Sequence, residues 1–298
     1  MITFKQVSYK NKRKYLVKDL TFHIPSQSLT GIFGPNGAGK STTLHLLAQI
    51  ISPDNGNLIY NGRDFNHIGF NLKKKCGFLP ELFAPYPEMR VREYLIWIGQ
   101  MKFLPVKSLG TEIDRVIELV HLQEQTTKFI RVLSTGARRR LGLAQALINT
   151  PEILILDEPL SALDPWEKNH LIEILCQLVP QTTIILATHL LHDLLPICAH
   201  SVFLDQGRLE YSGSLLTSEQ LPLPSNLSIH TLTNPPPDLI SHLSHSPRIL
   251  RILRFSSVPE SRYLVLARPE TDFTPLFHQA VSKTISADQE FLSASEKV

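Results

Sequence analysis

Short unbroken apolar runs alternate, along most of the chain, with longer stretches in which apolar residues return every three or four positions. Leu29–Phe33, Ile153–Leu156 and Thr183–Ala187 are runs of the first kind. Continuous apolar character over so short a length predicts strands covered on both faces, as in a parallel sheet. Leu29–Phe33 leads directly into a glycine-rich loop, and Thr42–Ile50 behind it reads as a helix. Between Val91 and Leu122 the spacing changes. Tyr94, Leu95, Ile98 and Met101, then Ile113, Val116, Ile117 and Val120, recur at helical steps and predict a helical insert, about residues 88–150. Strands alternating with helices place the chain in the α/β class.

The pattern breaks near residue 213. All 14 glycines lie between Gly31 and Gly213, and none follows, although prolines continue. A compositional shift this sharp predicts a boundary, with residues 1–213 as one domain, 214–226 as a polar linker and 227–298 as a small α+β extension. In the extension, Ser228–Thr233, Arg248–Ser256 and Arg262–Arg268 read as strands, while Pro236–His245 and Phe273–Thr284 read as helices. That order is part of a split βαβ unit.

Composition narrows the partners. Of 298 residues, 43% are hydrophobic and 19% charged, which excludes a disordered or collagenous chain. Lys and Arg total 30 against 27 Asp and Glu, a net charge of +3 that gives no electrostatic footprint for nucleic acid. Cys76, Cys176 and Cys198 are an odd, scattered set, which argues against a disulfide framework or a zinc site and fits a reducing compartment. Residues 1–17 lack the apolar core of a signal peptide. The best candidate membrane span, Ile184–Leu204, is interrupted by His189, His192, Asp193 and Pro196. A soluble protein is expected, with any membrane contact made through a partner.

Three segments carry chemistry. Gly34-Pro35-Asn36-Gly37-Ala38-Gly39-Lys40-Ser41, running on into Thr42, is a Walker A loop between a strand and a helix. Its glycines let backbone N–H groups converge on phosphate oxygens, Lys40 reaches the β- and γ-phosphates, and Ser41 offers a hydroxyl to Mg²⁺. The strand Ile153–Leu156 ends in Asp157-Glu158. Alone this is better read as a strand meeting solvent. Downstream of a Walker A loop, Asp157 becomes a metal carboxylate and Glu158 a general base for the attacking water. Leu133-Ser134-Thr135-Gly136-Ala137 precedes an apolar helix, Leu141–Ile148. Ser134 suits an N-cap and Gly136 a close backbone approach, so the segment is either an ordinary helix start or a second anion site.

The order Walker A (Gly34–Ser41), Leu133–Ala137, Ile153–Glu158, Ser161-Ala162-Leu163-Asp164 and Thr188-His189 resembles the nucleotide-binding subunit of ATP-binding-cassette (ABC) transporters, over about residues 1–213. The wording around Gly77–Glu81, Val91–Leu95 and Leu133–Gly136 is most similar to the export-type branch, in which ATPase and membrane permease are separate chains. The resemblance implies the phosphate-loop NTPase fold with an antiparallel β subdomain and a helical subdomain, ATP and Mg²⁺ as cofactors, and ATP hydrolysis. It implies a head-to-tail homodimer in which Ser134 and Gly136 of one copy cover the γ-phosphate held by the Walker A loop of the other. It also implies that His189 orients the γ-phosphate and the attacking water, that Asp164 signals across the interface, and that the protein sits on the cytoplasmic face of the membrane through a permease. Without that context, the histidine would pass for an ordinary structural one. The second reading is a non-transport switch of the same family, whose nucleotide-dependent dimerisation regulates a partner.

Some positions depart from the family pattern. Glu81 stands where the family usually has Gln, at the residue that touches Mg²⁺, and a carboxylate remains a hard oxygen ligand. Ala137 replaces a polar residue. The aromatic that stacks on adenine falls near Asn11, between Tyr9 and Tyr15. The patch Leu82–Pro87 lies where the family docks a short helix of its membrane subunit.

Overall fold

The computed structural model describes residues 1–12, 14–161, 163–188, 194, 197–214, 228–233, 249–257 and 260–267. Contacts divide the chain into two compact units, Met1–Glu219 and Gln220–Val298.

The first unit holds two sheets. Strands β1 (Ile2–Asn11), β2 (Lys14–Ile24), β4 (Asn55–Tyr60) and β5 (Arg63–Asp64) form an antiparallel sheet in the order β2-β1-β4-β5. The second sheet runs β10-β9-β3-β8-β7-β6, built from β3 (Leu29–Phe33), β6 (Cys76–Leu79), β7 (Ile153–Asp157), β8 (Thr183–Thr188), β9 (His200–Asp205) and β10 (Arg208–Gly213). Its strands are parallel except for β10, which closes one edge antiparallel to β9. The apolar runs of the sequence are its centre: every residue of β3, β7 and β8 is buried.

The helix α1 (Lys40–Leu47) follows the glycine loop directly. It starts earlier than the Thr42–Ile50 expected and stops at Ala48, because Gln49 takes a left-handed conformation at φ 53°. Two short helices, α2 (Phe65–Ile68) and α3 (Phe70–Lys75), lead to β6. The helical insert consists of α4 (Val91–Met101), α5 (Val106–Leu119) and α6 (Thr135–Leu147). Its apolar stripe of Tyr94, Leu95, Ile113, Val116 and Ile117 is buried. The Lys102 ammonium ties α4 to the end of α6 by donating to the carbonyls of Gln145 at 3.1 Å, Ala146 at 3.3 Å and Ile148 at 2.9 Å. A cation on the unpaired carbonyls of a helix end is favoured by the macrodipole. Burial still lowers the pKa of Lys102 to about 8. After β7 comes α7 (Pro165–Leu178), with Asp164 as its N-cap.

In the second unit, β11 (Ser228–Thr233), β12 (Ile249–Ser257) and β13 (Glu260–Ala267) make a sheet in the order β11-β13-β12. The central β13 is antiparallel to both neighbours, so β11 and β12 run parallel, the strand arrangement of a split βαβ unit. The helices expected at Pro236–His245 and Phe273–Thr284 lie outside the described residues.

Candidate functional site

Register decides where the chemistry gathers. Phe33 pairs with Thr188, Ala187 with Asp157, and Leu156 with Leu79. The carboxyl ends of four parallel strands therefore meet at one sheet edge, the usual place for a ligand in an open α/β sheet. The loop Gly34–Gly39 leaves β3 there, Pro80-Glu81 leaves β6, Asp157-Glu158 ends β7, and Thr188 ends β8. A cleft of about 410 Å³ opens at this edge, lined by Leu16, Asn36, Gly37, Gly39, Lys40, Ser41, Thr42, Glu81 and Glu158.

The loop is held by its neighbours. The Gly207 N–H donates to the Ala38 carbonyl at 3.1 Å, and the Lys18 N–H donates to the Gly207 carbonyl at 2.7 Å, which ties β2 to the loop. Gly39 is required at its position. Its φ is 98°, and a β-carbon there would stand 2.7 Å from the Leu16 carbonyl oxygen. Among the described residues no side chain caps the start of α1, so its leading N–H groups are left for an anion. Lys40 Nζ folds back on its own loop and donates to the carbonyls of Gly34 at 2.8 Å and Pro35 at 3.1 Å. Burial lowers the Lys40 pKa, against the raising pull of Glu158, Asp157 and Glu81.

Asp157 is buried, and among the described residues its Oδ1 has no hydrogen-bond partner. Burial raises its pKa, the hydrogen bond from Ser41 opposes that, and Glu81 adds to the rise. An orphaned carboxylate oxygen beside a serine hydroxyl is a partial shell for a hard cation such as Mg²⁺. Among the described residues no group of three or more His, Cys, Asp or Glu could hold a metal by itself, so the remaining ligands would come from phosphate oxygens and water. The residues present fit the ion on those terms. Glu158 is buried in a left-handed conformation, φ 47°, at a cost of about 1–3 kcal/mol for a non-glycine residue. Its N–H donates to the Ala187 carbonyl at 2.8 Å, and its Oε2 accepts from Thr188 Oγ1 at 3.0 Å. Backbone and carboxylate are thus both anchored to β8.

Ser134 and Gly136 stand apart from this group. Ser134 caps α6, its Oγ accepting from the Ala137 N–H at 3.1 Å, and both Ser134 and Thr135 are exposed. α6 therefore begins well before the apolar run at Leu141. Neither Ser134 nor Gly136 lines the cleft that holds Lys40 and Glu158. His189 and Ala162 lie outside the described residues. Asp164 is exposed, and its Oδ1 accepts from the Glu167 N–H at 2.9 Å.

Several residues that sequence reasoning passed over take part. Leu16 walls the cleft beside the loop. Thr188 holds the Glu158 carboxylate. Arg139 is a buried arginine that reaches the backbone beneath the site. The two candidate aromatics separate clearly: Tyr9 packs against the core, whereas Tyr15, next to Leu16, is exposed between Lys10 and Lys18.

Phosphate loop, strand-end carboxylates and parallel sheet together define a phosphate-loop nucleoside triphosphatase. Residues 17–161 match the family model described as ABC transporter. The uncharacterized ABC transporter ATP-binding protein YxlF of Bacillus subtilis (strain 168) is 33% identical over 221 residues, 74% of this chain and 73% of that protein. The Nod factor export ATP-binding protein I of Burkholderia pseudomallei (strain 1710b) is 32% identical over 214 residues, 72% of this chain and 70% of that protein. The fold also matches a solved dimeric structure of MJ0796, a bacterial ABC transporter cassette, with TM-score 0.66 and 23% identity over 72% of this chain and 99% of that one. The chain belongs to the ABC transporter family, as an ATP-binding subunit that hydrolyses ATP. Among its described residues no helix is long and apolar enough to cross a membrane.

Proposed function

We propose that this chain is the motor subunit of an exporter, that it dimerises head to tail around ATP, and that it drives a separate membrane permease. The observation that carries the reading is the separation of the two anion sites. Lys40, Ser41, Glu81 and Glu158 line one cleft, with Asp157 behind Ser41, while the exposed start of α6 at Ser134 lies outside it. A helix start exposed at Ser134 and Thr135 suits a second copy's γ-phosphate, and a symmetric pair satisfies both sites at once.

On this reading Gly34–Thr42 cradle the phosphates, and Lys40 leaves its loop carbonyls for the β- and γ-oxygens. Ser41, Asp157 and Glu81 hold Mg²⁺, which neutralises phosphate charge when bound. Glu158 takes the proton of the attacking water, and His189 orients that water. Loss of the γ-phosphate removes the contacts between copies, and the pair loosens. Tyr15 is the aromatic for adenine. Leu82, 88% exposed, and Tyr86, 56% exposed, present apolar surface beside Glu81 for a helix of the permease. Export is supported by the likeness to the Nod factor export ATP-binding protein. The anchored Glu158 carboxylate favours a hydrolysing motor over a binding switch, which needs no general base.

The test is Glu158→Gln. Hydrolysis is expected to stop while an ATP-bound dimer accumulates in size-exclusion chromatography with light scattering. A variant that stays monomeric with saturating ATP and Mg²⁺ refutes the shared-nucleotide dimer.

A further inference from the structure

Arg139 lies in α6 with only 8% of its surface exposed, flanked by Arg138, which is exposed, and Arg140, which is half-buried. Its guanidinium is committed to backbone carbonyls. Nε donates to Pro159 at 3.2 Å, and Nη1 donates to Pro80 at 3.1 Å and Glu81 at 3.0 Å. Nη2 donates to Asp157 at 2.6 Å and also to Glu158. A guanidinium has five N–H donors in a fixed plane, and here five carbonyls surround it. None of them belongs to the phosphate loop Gly34–Ser41.

The acceptors fall on two segments, the turn after β6 and the end of β7, which carry Glu81, Asp157 and Glu158. Glu158 is the residue with the left-handed backbone. Its N–H is fixed by Ala187 and its carbonyl by Arg139, so the peptide groups on both sides of its α-carbon are restrained. α6 itself starts at Thr135, between its Ser134 cap and Gly136.

We propose that Arg139 is a positioning residue for hydrolysis. It locks the carboxylate-bearing segments to the helix whose tip faces the other copy, so that closure at Ser134 and Gly136 sets the placement of Asp157 and Glu158 in the same chain. This rests on the roles proposed above for those two carboxylates. Lysine at 139 keeps the charge but cannot reach five carbonyls at once, and glutamine loses the charge as well. Either change frees the Glu158 backbone to relax, while the phosphate loop, which Arg139 does not touch, keeps its grip on nucleotide.

The experiment measures Arg139→Lys and Arg139→Gln in the full chain beside Glu158→Gln. The fluorescent nucleotide TNP-ATP is the binding probe, phosphate release gives turnover, and far-ultraviolet circular dichroism checks folding. Both Arg139 variants are expected to bind TNP-ATP within about threefold of the unsubstituted chain while kcat falls at least about twentyfold, with lysine retaining more turnover than glutamine. A folded variant with unchanged kcat overturns the proposal, as does a loss of nucleotide affinity that matches the loss of turnover. Failure of both variants to fold would assign Arg139 to stability alone and overturn it too. Full turnover in Glu158→Gln would instead remove the underlying role of Glu158, a failure distinguishable from the others.

Discussion

The carboxylate of Glu167 occupies the space that a β-carbon on Gly136 would need. Glu167 comes from the first turn of α7, behind the Asp164 cap, and lies 3.8 Å from Arg140 of α6. Gly136 is therefore fixed by a neighbour within its own chain, in addition to any demand made by a second copy. Alanine at 136 must push the carboxylate aside and disturb the start of α6. Because Glu167 is a flexible side chain, the stability cost of Gly136→Ala is expected to stay at about 1–2 kcal/mol. ATP turnover is expected to fall about tenfold or more, since a displacement at a reacting geometry is amplified in rate. Adding Glu167→Ala should recover part of that turnover. No recovery would place the cost of alanine at the phosphate contact alone.

Lys40 is bound to its own loop before nucleotide arrives, and it is a cation that burial disfavours. Binding and stability should then respond in opposite directions. Lys40→Ala is expected to weaken ATP binding at least about a hundredfold in calorimetry, through loss of charge-assisted phosphate bonds. The unliganded variant is expected to melt at the same temperature as the parent or higher, because a costly buried charge has gone. A lower melting temperature together with intact ATP binding would reverse the assignment.

Glu81 adds negative charge at a mouth that must admit a polyanion. It helps to raise the Asp157 pKa and pulls on Lys40, yet it is exposed. Glu81→Gln keeps an oxygen ligand and removes the repulsion. Turnover is expected to be unchanged or up to about fivefold higher, with the difference shrinking as salt is raised, because exposed charges are screened. Complete loss of hydrolysis would make the carboxylate itself catalytic.

The legible parts of the site are those written contiguously. The phosphate loop and the Asp157-Glu158 pair each follow an apolar run, so strand and chemistry are read together. Arg139 was hidden for the converse reason: Arg138, Arg139 and Arg140 are alike in a string, and only the register of α6 turns one inward. That register depends on the helix beginning at Thr135 under the Ser134 cap, well before the apolar residues that announce it. Tyr9 and Tyr15 pose the same difficulty on a strand. The pairing of β1 with β2 slips between Val7 and Tyr9 and again between Tyr9 and Lys10, so alternation alone does not say which ring faces out. Thr188 was legible only as the partner of His189 just past a strand expected to end at Ala187, and its bond to Glu158 needed the neighbouring strand's register.

The turn from α6 into β7 offers a pH-dependent test of how the helical insert is braced. Asn149 and Thr150 both take left-handed conformations, φ 72° and 41°, which non-glycine residues hold only when their surroundings insist. Glu112 of α5 supplies the brace: its Oε1 accepts from the Asn149 N–H at 2.7 Å, and its carboxylate pairs with both Nε and Nη2 of Arg115 at 2.8 Å. Arg115 Nη2 in turn donates to the Leu147 carbonyl at 3.0 Å. Burial alone would raise the Glu112 pKa, but Arg115 and the backbone N–H groups of Asn149 and Thr150 outweigh it, and the net shift is downward. A carboxylate depressed in the folded state binds fewer protons there than in the unfolded chain. Its stabilisation is therefore complete above the ordinary value of 4.5 and is lost as pH falls through the lowered one. Glu112→Gln is expected to cost about 1.5–3 kcal/mol at pH 7, the usual range for hydrogen bonds to charged groups. In urea unfolding followed by tryptophan fluorescence, the gap between variant and parent should narrow steadily below pH 4.5 as the parent also takes up its proton. A gap that persists unchanged into acid would mean that the side chain's packing, and not its charge, holds the turn.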